Sequence, residues 1–195
     1  MSQNIEIEFK NLLTKGDFEK LKTFFNIDES QFKKQINHYF DTPAFSLKQH
    51  GSALRIREKG TQFEMTLKQP AHEGLLETNQ LLSSEQAKEI LKSGKILDGQ
   101  VKNALSDLIK EIDSLMYFGS LTTERAEFTY EEGLLVLDHS YYLNTEDYEI
   151  EYEVADAAEG FKIFSALLDE LKIPVRMTDN KIKRFYSQKY NLLNE

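Results

Sequence analysis

Residues 5–10 read Ile5-Glu6-Ile7-Glu8-Phe9-Lys10. Apolar and charged side chains alternate there one by one, and successive side chains of a β-strand point to opposite faces. Glu6, Glu8 and Lys10 therefore share one face, and Ile5, Ile7 and Phe9 the other. The alternation returns in Ala53-Leu54-Arg55-Ile56-Arg57, in Phe63-Glu64-Met65-Thr66-Leu67-Lys68 and in Arg125-Ala126-Glu127-Phe128. It returns once more in Glu149-Ile150-Glu151-Tyr152-Glu153-Val154. A period of two repeated this often specifies strands with one apolar and one densely charged face. The fold must bury the first and find a use for the second.

The rest of the chain supplies the connections. Thr14 is placed to cap a helix carrying Phe18, Leu21, Phe24 and Phe25 on one side. Residues 35–40 predict a strand stopped by Asp41-Thr42-Pro43. Strands over 53–58 and 62–69 follow, joined at Lys59-Gly60, with another over 73–81. Ser83 and Gln86 have capping-box spacing, opening a helix through Leu91. Val101, Leu105, Leu108 and Ile112 keep the helical period. Strands return over 115–122, 124–130, 134–142 and 147–154, with Glu132-Gly133 as a hairpin turn. Helices over 157–171 and 179–190 lie on either side of Pro174. Runs of strands joined by short turns pair antiparallel. With 195 residues, no linker and no repeat, the expectation is a single domain over residues 1–195.

Eight or nine such strands can form a sandwich with its charged faces in water, or a closed barrel with its charged faces inward. The amphipathic helices need apolar sheet surface to cover. That favours the α+β solution, a closed antiparallel barrel with helices packed on the outside. A formal net charge of −9 argues against a general nucleic-acid binder. The absence of cysteine excludes disulfides, zinc–thiolate sites and thiol nucleophiles. No basic segment precedes an apolar core at the start, and no run reaches the roughly 18 apolar residues of a membrane helix, so a cytoplasmic protein without membrane contact is expected.

Sorted by face, the cations are Lys10, Arg55, Arg57, Lys68 and Arg125. The carboxylates are Glu6, Glu8, Glu64, Glu127, Asp138, Glu149, Glu151 and Glu153. A polyphosphate calls for both sets. Guanidinium groups match phosphate oxygens in pairs, and lysine adds compact charge. Carboxylates would repel the same phosphates unless a divalent cation stood between them, and all-oxygen ligands suit Mg²⁺ or Mn²⁺. Phosphoryl transfer needs mainly positioning and charge neutralisation, so no nucleophilic triad is required. Glu64 and Glu127 read as structural partners of arginines. His38, His50, His72 and His139 show no metal-ligand spacing and read as turn or surface residues.

These segments resemble the CYTH superfamily, the triphosphate tunnel metalloenzymes. Glu6-Ile7-Glu8-Phe9-Lys10 resembles the family's Glu-x-Glu-x-Lys signature, and Tyr39-Phe40-Asp41-Thr42-Pro43 its second-strand motif. Leu54-Arg55-Ile56-Arg57 resembles its paired arginines and Thr66-Leu67-Lys68 its strand lysine. Glu124-Arg125, Asp138 and Glu149-Ile150-Glu151 resemble its later arginine, aspartate and second acidic pair. Lys181 and Lys183 fall where a C-terminal basic residue is expected. The likeness runs from residue 5 to about 185 and is greatest to the YjbK-type bacterial branch. It implies an eight-stranded antiparallel β tunnel. In that tunnel Glu6, Glu8, Asp138, Glu149 and Glu151 would hold the metal, with Glu153 at the rim. Lys10, Arg55, Arg57, Lys68, Arg125, Lys181, Lys183 and Tyr39 would contact a small-molecule triphosphate. Hydrolysis of inorganic triphosphate, thiamine triphosphate or a nucleoside triphosphate is the implied activity, in a monomer or homodimer. Adenylate cyclase chemistry, or polyphosphate binding without turnover, are the alternatives.

Overall fold

The computed structural model describes residues 2–193. Eight strands follow in chain order: β1 (Ser2–Leu13), β2 (Lys33–Asp41), β3 (Ala53–Lys59), β4 (Gln62–Pro70), β5 (Leu75–Leu82), β6 (Met116–Tyr130), β7 (Gly133–Tyr142) and β8 (Thr145–Val154). The helices are α1 (Lys15–Phe24), α2 (Ser46–Gln49), α3 (Ser84–Ser93), α4 (Gln100–Leu108), α5 (Ala157–Glu170) and α6 (Lys181–Leu193). The strands close into an antiparallel barrel in the order β1-β5-β4-β3-β2-β6-β7-β8, with β8 returning to β1. This is the α+β barrel expected from the sequence. Among the described residues no helix is long and apolar enough to cross a membrane.

The chain groups into two compact units, one of residues up to Glu6 with Gln35–Leu121, the other of Ile7–Lys34 with the residues from Thr122 onward. In the first, α3 and α4 cover the apolar face of β3 and β4. Ala87, Ile90, Val101 and Leu105 pack on Leu54, Ile56, Met65 and Leu67, and all eight are buried. In the second, α1 and α5 bring Phe18, Leu21, Phe164 and Leu167 onto Leu135, Leu137, Ile150 and Tyr152. Complete burial of such side chains contributes roughly 1.5–3 kcal/mol each. These four helices thus take the apolar faces and leave the charged ones facing away from them.

Local chemistry fixes the joints. Thr14 and Asp17 form a reciprocal capping box on α1, and Ser83 and Gln86 form one on α3. Asn180 Oδ1 accepts the Lys183 amide (3.0 Å), capping α6 and so setting Lys181 at its first turn. Gly133 is required by close approach, because a Cβ there would lie 2.6 Å from the Glu153 carbonyl oxygen and 2.7 Å from the Tyr152 ring.

The structure differs from the sequence reading in four places. Residues 115–122 and 124–130 belong to one strand, β6, since Thr122 and Thr123 continue the ladder against Tyr141 and Ser140. The helix expected to reach Ile112 stops at Leu108, where Ile109 turns extended. The β6–β7 turn is Glu131-Glu132, with Glu131 at a φ of 47° and Gly133 opening β7. The short helix α2 carries no apolar period long enough to announce it. It is held instead by Asp41, whose carboxylate accepts the amides of Leu47 (2.9 Å) and Lys48 (3.2 Å).

Candidate active site

Strand alternation gathers one charge cluster in the second unit. On β6 and β7, Arg125 lies opposite Asp138 in register. Its Nε donates to Asp138 Oδ1 (2.7 Å) and its Nη2 to Asp138 Oδ2 (2.6 Å) and to Glu151 Oε2 (2.7 Å). Lys181 Nζ, from the first turn of α6, meets Asp138 Oδ2 at 2.8 Å, Glu149 Oε2 at 2.9 Å, and Glu151. One turn on, Arg184 donates to Glu149 Oε2 (2.6 Å) and Asp147 Oδ2 (2.9 Å). On β1, Lys10 donates to Glu8 Oε1 (2.6 Å). Asp138 and Glu149 are wholly buried.

The fields are strong because water is largely excluded. Burial alone would raise the Glu151 carboxyl, but Lys181 and Arg125 outweigh it and hold that carboxyl well below its usual range. Burial would lower the Lys181 ammonium, and Asp138, Glu149 and Glu151 push it well above its ordinary value instead. Lys10 is raised in the same way, against burial, by Glu8 and then by Glu151 and Glu149. Glu151, Lys181 and Lys10 are thus held in their ionised forms by their neighbours.

The first unit carries a second, more cationic group. Lys68 Nζ pairs with Glu6 and lies 2.6 Å from Glu77 Oε1. Arg57 Nε donates to Asn37 Oδ1 (3.1 Å). Arg55 lies opposite the buried Tyr39 in the β2–β3 register, and its buried Nε has no hydrogen-bond partner among the described residues. A buried guanidinium donor without a partner is rare and calls for an explanation.

The sequence-derived candidates thus fall into two groups. Glu6, Lys68, Arg55, Arg57 and Tyr39 share one face of the first unit, and Glu8, Lys10, Arg125, Asp138, Glu149, Glu151 and Lys181 share one of the second. Lys183 does not join them, because two residues along a helix face away from each other. It is exposed and pairs with Asp179 at 2.6 Å. Arg184 is the residue missed, although its spacing of three from Lys181 was the signal. Glu77 was missed too, since Leu75-Leu76-Glu77-Thr78 breaks the alternation that marked the other strands. His38 pairs with Glu58 and His139 with Glu146.

Lys181 tests whether a metal fits. Its single ammonium meets three carboxylates, so Asp138, Glu149 and Glu151 can turn hard oxygens onto one cation, the donor chemistry of Mg²⁺ or Mn²⁺. Glu149 Oε1 is moreover buried without a hydrogen-bond partner among the described residues. As they stand, no three acidic or histidine side chains among the described residues are arranged to hold an ion. Lys181, Arg125 and Arg184 engage the oxygens that would do it. The chemistry of Asp138, Glu149 and Glu151 is therefore that of ligands which would hold a hard divalent cation.

Comparison with known proteins gives a consistent picture. The CYTH domain family model matches residues 4–186. A Bacillus subtilis (strain 168) protein described as "Putative triphosphatase YjbK" is 52% identical over 189 residues, covering 97% of this chain and 98% of that protein. A crystal structure from Bacillus halodurans, described as a "putative adenylate cyclase", superposes with a TM-score of 0.93 at 48% identity, covering 95% of this chain and 100% of the other. A Hippeastrum protein described as an adenylyl cyclase with a dominant triphosphatase activity shares the fold, with a TM-score of 0.79 at 23% identity over 94% of this chain and 96% of its own.

Proposed function

This chain belongs to the CYTH domain family, and from that premise we propose that it is a divalent-cation-dependent triphosphatase removing the terminal phosphate of a small triphosphate. We take both units as parts of one CYTH domain, because the family match runs through both. The observation that carries the reading is the convergence of Asp138, Glu149 and Glu151 on a single cation. The triphosphatase description of the 52% identical relative supports it.

Each residue has a task in this reading. Arg55 and Arg57 offer planar donor pairs to phosphate oxygens, and Lys10 and Lys68 add point charge. The Tyr39 hydroxyl is a further donor. Arg125 spends its Nε and Nη2 on Asp138 and Glu151, so its task is to hold those carboxylates in place. Glu6, Glu8, Asp138, Glu149 and Glu151 would hold Mg²⁺ or Mn²⁺. When bound, the ion polarises a phosphoryl oxygen and acidifies a water. Lys181, at the first turn of α6, would offer its ammonium to the substrate. Lys183 has no part, and Arg184 steadies Glu149 and Asp147.

The test is a phosphate-release panel over tripolyphosphate, thiamine triphosphate and nucleoside triphosphates with Mg²⁺ or Mn²⁺. Release from at least one is expected, and release from none sinks the proposal. The cyclase description of the 48% identical Bacillus halodurans structure favours a second reading, attack of the ribose hydroxyl on the α-phosphate of ATP. Chromatography of ATP products separates the two. ADP with phosphate is the expected outcome, and cyclic AMP with pyrophosphate would select the cyclase.

A further inference from the structure

Resting on the phosphate-binding role given to Lys68 above, we propose that Glu77 is a positioning residue, which holds the Lys68 ammonium where a phosphate chain meets it. Glu77 lies on β5 directly opposite Lys68 in the β4–β5 ladder, and its carboxylate is buried. Its Oε1 stands 2.6 Å from Lys68 Nζ. Burial would raise its carboxyl, but Lys68 first and Arg55 second outweigh this and lower it. Asn79, two residues along the same strand face, accepts the Thr66 hydroxyl at 2.8 Å and donates to Asn4 Oδ1 at 3.2 Å.

Lys68 thus has two carboxylate partners, and they are not equivalent. Glu6 is a candidate ion ligand, so it has a second claim on its oxygens. Glu77 has none and is the partner that stays. A flexible lysine left with Glu6 alone would follow that carboxylate, whereas one tied across the ladder to Glu77 keeps its place. A carboxylate beside a phosphate site would ordinarily weaken anion binding by repulsion. Here it strengthens binding, because a fixed ammonium gives more to a phosphate oxygen than a mobile one.

Calorimetric titration with tripolyphosphate in the absence of divalent ions reads binding apart from turnover. Glu77→Gln keeps the shape and removes the charge, and should weaken binding about 10-fold or more, the scale on which supporting partners of functional groups act. Glu77→Asp should recover most of it, to within about 3-fold of wild type. Lys68→Met, alone and combined with Glu77→Gln, reads the proposal even if the single Glu77→Gln variant fails to fold: the two should bind equally weakly, because Glu77 acts through Lys68. In turnover, the loss should appear mainly in KM. Unchanged or tighter binding in Glu77→Gln, or no rescue by Asp, would overturn the positioning role. Wild-type binding without hydrolysis would refute the triphosphatase reading while leaving the Glu77 result to stand on its own. No wild-type binding would overturn the Glu77 role, while the triphosphatase reading stands or falls by the phosphate-release panel.

Discussion

Replacing Lys181 by Met removes the one ammonium on which Asp138, Glu149 and Glu151 converge, 2.8 and 2.9 Å from the first two. Its side chain is only 12% exposed, so water cannot take over the solvation of those oxygens. Arg125 and Arg184 remain, leaving two guanidinium groups to balance Asp138, Asp147, Glu149 and Glu151. Breaking a buried ion pair from one side costs about 3–5 kcal/mol. For a chain of this size each kcal/mol lowers Tm by about 2–4 °C, so a fall of roughly 6–20 °C is expected. A divalent cation at a hundred times its Kd would restore about 2.7 kcal/mol. Because the ion need not displace an ammonium in the variant, Mn²⁺ should stabilise Lys181→Met more than wild type. Thermal unfolding of both proteins with and without Mn²⁺ measures this. A wild-type Tm in the variant, or equal Mn²⁺ increments in the two, would refute the reasoning.

Three further outcomes follow from the same geometry. Glu151 and Glu77 have folded-state carboxyls lowered from the ordinary 4.5, so the stability they contribute is present above that value and lost as pH falls below it; Lys181 and Lys10, raised above 10.5, contribute fully below that value and lose it as pH rises further. A Tm profile that falls on both the acid and the alkaline side is therefore expected, and a profile flat below pH 4.5 would contradict the assignment for the carboxylates. Glu149→Gln should abolish phosphate release while Glu153→Gln is milder, since only Glu149 meets Lys181; a dead Glu153→Gln beside an active Glu149→Gln would move the acidic pair to Glu151 and Glu153. Arg57→Lys should restore only part of the tripolyphosphate affinity lost in Arg57→Ala, because a point charge cannot reproduce two parallel N–H donors, and full recovery would remove the bidentate contact.

What could be read from the sequence was whatever a strand's period of two encodes. Arg55, Glu149 and Glu151 each stand between apolar neighbours, and Arg57 and Lys68 each follow one, so their common side was visible before any pairing was known. β5 hid Glu77 because two leucines precede it and three polar residues follow, leaving no alternation to follow. Arg184 was hidden for a different reason. α6 carries Lys181 and Arg184 on one face and buries Phe185 beside them, but which face meets the sheet depends on docking, and docking is a tertiary event. Lys183 had the right chemistry on the wrong side of the same helix. β6 was divided in two because Thr122-Thr123 carries no apolar residue, although threonine suits a strand as well as valine does.

The central claim is that this charged strand face cleaves a phosphoanhydride with a divalent cation and water. Phosphorus NMR of tripolyphosphate incubated with the protein and Mn²⁺ tests it most directly. The account predicts equal amounts of orthophosphate and pyrophosphate, formed only with the ion present and absent in Glu149→Gln. Tripolyphosphate left intact, or cleaved equally well in the presence of a chelator, would contradict it.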